Sequence, residues 1–221
     1  MKKKPHLINL ALYLSIFTIA YNIFEGLISI YIGYNDETLA LLGFGVDSFV
    51  EVFSGFGILN LSLLMKYNKK IDFSEKMALK ITGSSFYLLT IALLITSTVN
   101  IVNSHEPITT KWGIVISLIS LTIMWYLIKR KKYVGKELNS NAIIADAKCN
   151  IVCMQLSVVL LLSSLFNHYL SIGYFDSIGA LVIAFYSFKE GREAFSKSKN
   201  ESSCCWLNIA LNNVRRNKLN W

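Results

Sequence analysis

The sequence predicts an all-α membrane protein, a bundle of six transmembrane helices with both termini in the cytoplasm. Of the 221 residues, 53% are hydrophobic and only 16% are charged, whereas soluble domains carry about 25% charged residues. Six apolar runs divide the chain, and none alternates in the manner of a barrel strand. The predicted helices span 7–33, 38–65, 77–102, 112–128, 142–167 and 174–195.

A helix needs roughly 20 apolar residues to cross the hydrocarbon core of a bilayer, and most of the six runs exceed that length. The first follows three lysines, as a secretory signal does, but its roughly 27 apolar residues exceed the ~15 of a signal core. The second, third and fifth runs are similarly long, and the fourth, 112–128, is the shortest. The sixth leads into a segment, 196–221, that we expect to be a short cytoplasmic tail without an independent domain.

The basic residues indicate the orientation of the bundle. Of the 22 Lys and Arg residues, 19 fall in the N-terminus, in the loops at 66–76 and 129–136, and in the segment from 189 onward. All four regions lie on one side of a six-helix bundle, and loops rich in Lys and Arg face the cytoplasm. The net charge of +8 therefore indicates topology, and we expect no nucleic-acid partner.

Five acidic residues lie within the apolar runs. They are Glu25, Asp47, Glu51, Asp146 and Asp176. A carboxylate inside a membrane helix costs at least ~2.5 kcal/mol, so such residues are functional candidates. Asp47 and Glu51 are four residues apart and share one helix face, where two like charges repel unless a cation or a proton lies between them. This pair predicts a metal site on the second helix.

The fifth helix supplies a second pair with the same spacing, Cys149 and Cys153, and Asp146 extends their face by one turn. With a rise of about 1.5 Å per residue, Asp47 is level with Cys153 and Glu51 with Cys149, near the middle of the membrane. Two thiolates and two carboxylates suit a tetrahedral Zn²⁺ or Cd²⁺ ion, whereas Mg²⁺ and Ca²⁺ prefer oxygen ligands alone. The alternative is that the cysteines are small hydrophobic residues and that the acids bond between helices.

These residues resemble the cation diffusion facilitator (cation efflux) family, in particular a short branch that lacks the C-terminal cytoplasmic domain. The resemblance covers roughly residues 10–195. It is carried by Tyr21–Gly26, Gly43–Glu51, Ala145–Ala147 with Cys153, and Phe175–Leu181 with Glu190 and Gly191. The order and spacing of these segments, rather than any single one, identify the family.

The resemblance implies a homodimeric exporter that moves Zn²⁺ or a similar divalent ion out of the cytoplasm in exchange for protons. Position by position, the family's transport ligands fall on Asp47, Glu51, Cys149 and Cys153. The family's pattern has Asp in place of Glu51, and a His and an Asp in place of the two cysteines, which leaves Zn²⁺, Cd²⁺, Co²⁺, Fe²⁺ and Mn²⁺ open. Most members also carry a cytoplasmic ferredoxin-like domain that holds the dimer together; we expect dimerisation here through the membrane part.

Further polar residues are expected to line the cavity, to relay protons or to bond between helices. They are Asn22, Glu25, Asp146 and Asp176. Lys148 is expected to extend toward the cytoplasmic surface, and the loop at 129–136 is expected to be merely basic. Cys204 and Cys205 in the tail are expected to be reduced thiols, with metal loading as a minor alternative.

The leading hypothesis is a proton-coupled exporter of divalent metal cations in the plasma or inner membrane, surrounded by lipid. Zn²⁺ is its expected substrate, and no prosthetic group and no enzymatic activity are expected. Thiols and carboxylates lose protons when they bind a metal, so metal binding and proton binding oppose each other. A membrane metal-binding or interaction partner that does not transport is the second hypothesis. A membrane enzyme and a multidrug exporter are two further alternatives.

Overall fold

A computed structural model describes residues 5–35, 39–67, 71–103, 111–170 and 175–217. These residues form six helices: α1 Pro5–Asn35, α2 Leu39–Lys66, α3 Ile71–Asn103, α4 Lys111–Glu137, α5 Asn141–Leu170 and α6 Phe175–Asn217. No strand occurs within the described ranges. The predicted fold class, an all-α bundle of six helices, is confirmed.

Four stretches in the described part of the chain have the length and composition needed to cross a bilayer. They are Pro5–Asn35, Leu41–Lys66, Phe73–Val99 and Asn141–Val159, which belong to α1, α2, α3 and α5. These stretches agree with the predicted multi-pass arrangement. Crossings by α4 and α6, and the cytoplasmic position of both termini, stay predictions.

Four of the helices enclose the interior of the bundle. Helices α1, α2, α5 and α4 form a closed ring, because each packs against the next and α4 returns to α1. Helices α3 and α6 pack against each other, and this pair covers the side of the ring that α2 and α5 form. Helices α2 and α5 therefore contact each other in the middle of the molecule, where the predicted metal ligands lie.

Two helices extend beyond the predicted membrane segments. The run 129–136, expected to be a loop, is the last part of α4. Residues 196–217 of the expected tail continue α6. The prediction ended both segments where charged residues begin, but Lys, Arg and Glu are good helix formers, so charge ends an apolar run without ending a helix. The boundary between a membrane domain and a tail stays a prediction.

A tight turn joins α4 to α5 and fixes how they pack. The amide of Ser140 donates to the carbonyl of Gly135 at 2.9 Å, and Asn139 adopts a φ of 50°, in the left-handed region that often ends helices. The carboxylate of Glu75 on α3 accepts from the Ser140 hydroxyl at 2.8 and 2.9 Å and from the Ala142 amide at 2.8 Å. This carboxylate lies at the positive N-terminal end of α5, and it ties α3 to that end.

Helices α1 and α2 approach closely through glycine. A Cβ on Gly45 would lie 2.7 Å from Cγ1 of Ile30 and 3.0 Å from the carbonyl oxygen of Gly26. A side chain at this position would therefore push α1 away from α2. The close approach brings the polar face of α1, with Asn22 and Glu25, against the acidic face of α2.

Candidate metal centre

Asp47 on α2 is the buried acid without a hydrogen-bond donor. Only 1% of its surface is exposed, and within the described residues neither carboxylate oxygen has a hydrogen-bond partner. The Cys153 thiol on α5 interacts with it as a weak donor without forming a well-aligned hydrogen bond, and the Glu25 carboxylate on α1 adds a like charge nearby. A buried carboxylate with no donor is unstable as an anion, so this position favours an added cation or proton.

Glu51, one turn further along α2, has the opposite environment. It is 1% exposed, and the Asn22 amide on α1 donates to its Oε2 at 2.6 Å. The Asn150 amide on α5 donates to both of its carboxylate oxygens at 3.0 Å. Two side-chain amides from two helices therefore hold this carboxylate in place.

Asn150 is in turn held by a buried lysine. Nζ of Lys131 on α4 donates to Oδ1 of Asn150 at 2.6 Å and lies 2.7 Å from Oδ2 of Asp146. Lys131 is 2% exposed and Asp146 is also 2% exposed, so this ion pair is enclosed by the bundle. Oδ1 of Asp146 accepts from the Ser54 hydroxyl at 2.6 Å. A continuous polar network thus runs from Glu51 across α5 and α4 and back to α2.

Glu25 on α1 belongs to a smaller polar group beside Asp47. The Tyr21 hydroxyl donates to its Oε1 at 2.7 Å, and the Ser48 hydroxyl on α2 lies 3.1 Å from its Oε2. Glu25 is 5% exposed. These contacts tie α1 to α2 next to Asp47 without supplying a donor to Asp47 itself.

Cys149 and Cys153 on α5 are free thiols, 1% and 0% exposed. The charges of Asp47 and Glu51 act on both thiols, so the four predicted ligands share one neighbourhood between α2 and α5. Within the described residues, however, no three His, Cys, Asp or Glu side chains form a group that could hold a metal ion at once. The donors are neighbours, but they are not arranged as a closed coordination shell.

The other predicted residues divide into three cases. Asn22 donates a hydrogen bond to Glu51, and its accessory role stays a prediction. The side chains of Asp176, Cys204 and Cys205 lie outside the described residues. Lys148 pairs with Glu190 at 2.7 Å and with Glu193 at 3.0 Å on α6, so its charge is neutralised between two helices.

Sequence reasoning missed two members of the network, Lys131 and Asn150. Lys131 lies in a run of five basic residues between 129 and 136 that was interpreted as a basic loop; this interpretation was wrong for Lys131, which points into the bundle. Residues 129–132 are all basic, so no periodic signal marks one of these lysines as internal. Asn150 had a usable signal, because a polar amide inside an apolar helix usually bonds to a neighbouring helix.

The family of the chain follows from its sequence similarity to known protein families. The model of the cation efflux transmembrane domain matches residues 15–201, which is most of the chain. The chain belongs to the cation efflux family. The predicted resemblance to the cation diffusion facilitators is thereby confirmed, and no match was found among curated individual proteins.

Membership of the cation efflux family establishes a multi-pass membrane protein that transports metal cations. Members of this family are transporters rather than enzymes, and they move metal ions without a prosthetic group. The metal ion is therefore the transported substrate and not a resident cofactor. The matched region contains all four predicted ligands, Asp47, Glu51, Cys149 and Cys153.

Proposed function

We propose that this cation efflux protein exports a thiophilic divalent cation, Zn²⁺ foremost, in exchange for protons. The observation that supports this most directly is the buried Asp47 carboxylate, which has no N–H or O–H donor among the described residues and lies beside the weakly donating Cys153 thiol. A carboxylate in this position gains more from a cation than one that already has hydrogen bonds. Glu51 and Cys149 complete the proposed ligand set.

The ligand types support the choice of metal. Thiolate sulfur favours Zn²⁺, Cd²⁺ and similar ions, and two carboxylates add charge without changing that preference. Mg²⁺ retains water and seeks six oxygen ligands, which this pair of helices does not offer. We therefore expect zinc and cadmium to be transported in preference to magnesium.

The same ligand types support proton exchange. Each thiol binds a metal as its thiolate, so metal entry releases protons and proton entry opposes metal binding. No three ligands form a metal-binding group in the described structure, so the metal-bound state requires α2 and α5 to move or their side chains to change rotamer. A site that forms in one state of the bundle and opens in the other is the basis of alternating access.

The proposed function is tested by metal-driven proton flux. Purified protein is placed in liposomes that contain a pH-sensitive dye, and Zn²⁺, Cd²⁺, Mn²⁺ or Mg²⁺ is added outside. We expect a proton flux with Zn²⁺ and Cd²⁺ that Asp47→Asn abolishes. The matched control is Ser62→Ala, which removes another buried polar group of α2 that has no hydrogen-bond partner in the described part of the chain. We expect it to retain the flux.

Each result of this assay has one interpretation. Zinc binding without any proton flux would refute antiport and would favour the non-transporting metal-binding partner. A flux that survives in Asp47→Asn would remove Asp47 from the site while leaving transport intact.

A homodimer in the plasma or inner membrane is also part of the proposal, and the mass of the purified protein in detergent, measured by light scattering, tests the dimer.

A further inference from the structure

The buried ion pair of Lys131 and Asp146 lies next to the proposed metal site but contains none of its four ligands. Lys131 is a costly residue to bury inside a membrane bundle, because its ammonium group must be paired to be stable there. It is paired twice, with Asp146 at 2.7 Å and with the side-chain oxygen of Asn150 at 2.6 Å. The second contact connects it to the metal site.

Lys131 determines which way the Asn150 amide faces. An ammonium group can only donate, and a carboxylate can only accept. The amide therefore places its oxygen 2.6 Å from Nζ of Lys131 and its nitrogen 3.0 Å from the oxygens of Glu51. The flipped amide would place donor against donor at Lys131 and acceptor against acceptor at Glu51.

The Asn150 amide in turn leaves Glu51 able to bind a metal. Oε2 of Glu51 accepts from both Asn22 and Asn150, whereas Oε1 accepts, among the described residues, from Asn150 alone. A carboxylate oxygen has two lone pairs, so Oε1 keeps one for a further partner. The hydrogen bonds thus fix the carboxylate and leave one oxygen available.

We infer that Lys131 is a positioning residue for the metal site: through Asn150, it holds Glu51 in the orientation from which Oε1 binds the transported ion. This inference rests on the proposed function of Glu51 as a metal ligand. Residues that orient ligands in this way are part of how a site binds its metal, and their loss typically costs 10- to 100-fold in affinity or activity. Asp146 keeps the Lys131 charge neutralised and is not itself free to bind the ion.

The test must separate positioning from simple stabilisation. Lys131→Met leaves Asp146 buried without its cation, and this alone is expected to destabilise the fold. Lys131→Met/Asp146→Asn removes both charges and leaves no unpaired ion. Lys132→Met is the matched control, because Lys132 is the exposed neighbour on the same helix.

Zinc binding is measured by calorimetry on the purified full chain, with unfolding in detergent measured alongside. We expect the double variant to unfold like the native protein but to bind Zn²⁺ about 10- to 100-fold more weakly. With Co²⁺ as the probe, the thiolate charge-transfer band is expected to persist, while the d–d bands shift because the carboxylate ligand has moved. Lys132→Met should match the native protein in every measurement.

Two results would overturn the inference. Native-like stability together with native-like zinc affinity and cobalt spectrum in the double variant would make Lys131 and Asp146 a structural pair only. That result leaves the proposed function intact as long as Asp47→Asn still loses zinc binding. No zinc binding by the native protein would instead refute the proposed metal site, and the role of Lys131 with it.

Discussion

Asp47→Asn is expected to unfold less readily than the native protein when metal is absent. When zinc is present, the variant is expected to be the less stable of the two. Asp47 is 1% exposed, and its two carboxylate oxygens have no donor among the described residues. An ionised Asp at the centre of a membrane helix costs about 2.5 to 3.5 kcal/mol, and a neutral amide costs less. We therefore expect the variant to gain roughly 1 to 2 kcal/mol in the absence of metal.

Zinc reverses this order. A ligand present at 100 times its dissociation constant stabilises the folded state by about 2.7 kcal/mol, and a variant that cannot bind gains nothing. The native protein should then exceed Asp47→Asn by about 0.7 to 1.7 kcal/mol, although it is the less stable of the two without metal. For few substitutions does the effect on the free energy of unfolding change sign when zinc is added. Replacing a residue with a purely structural role lowers stability both with and without the metal.

The measurement is unfolding in mixed micelles with increasing SDS, in a chelator and again with free Zn²⁺ held constant. Ser62→Ala serves as the control, since it removes a buried hydroxyl of α2 that also has no hydrogen-bond partner within the described ranges. It should respond to zinc as the native protein does. If Asp47→Asn is less stable than the native protein in chelator, the carboxylate is satisfied by the fold and the argument is wrong. Equal stabilisation by zinc in both proteins would exclude Asp47 as a ligand.

Three further predictions concern the thiols and the packing of the bundle. Cys149→Ser and Cys153→Ser should each lower the flux of Zn²⁺ and Cd²⁺ more than that of Mn²⁺ in the liposome assay, since oxygen is the harder ligand; equal losses for all ions would contradict sulfur ligation. Gly45→Ala should cost about 1 to 3 kcal/mol in SDS unfolding, because its Cβ would lie 2.7 Å from a side-chain carbon of α1. Gly43→Ala is its control and should cost nothing, because its nearest neighbour would be 3.5 Å away. Glu75→Gln should cost about 1 to 3 kcal/mol by weakening charged hydrogen bonds at the N-terminus of α5, and an unchanged unfolding curve would refute that role.

The sequence predicts the fold and the acidic side of the candidate site because both depend on local patterns. Long apolar runs require helices in a membrane. The four-residue spacing of Asp47 and Glu51 places them on one helix face in any helix. Asn22 was predicted as an accessory residue because polar groups in membrane helices seek partners, and its partner is Glu51.

The network behind Glu51 could not be predicted, because it depends on how α4 packs against α5. Lys131 is separated from Asp146 by a turn at 138–140 whose left-handed residue, Asn139, sets the geometry of the hairpin. The sequence distance between the two charges does not reveal their contact of 2.7 Å. The limits of α4 were missed for a related reason, since the sequence marks where an apolar run ends and not where the backbone leaves the helix.

Glu51→Gln is expected to act in the direction opposite to Asp47→Asn when metal is absent. The Asn150 amide donates to both oxygens of Glu51, so a glutamine places its NH₂ group against the NH₂ group of Asn150 whichever way it is turned, and Lys131 keeps the Asn150 amide from flipping. One unsatisfied donor pair costs about 1 to 3 kcal/mol, which should appear as a loss of stability in chelator. The same acid-to-amide substitution would then raise stability at Asp47 and lower it at Glu51, although the two residues share one helix face. If both variants were stabilised alike, the amide contacts of Glu51 would contribute nothing to stability. The difference in hydrogen bonding between Asp47 and Glu51 would then have no energetic consequence.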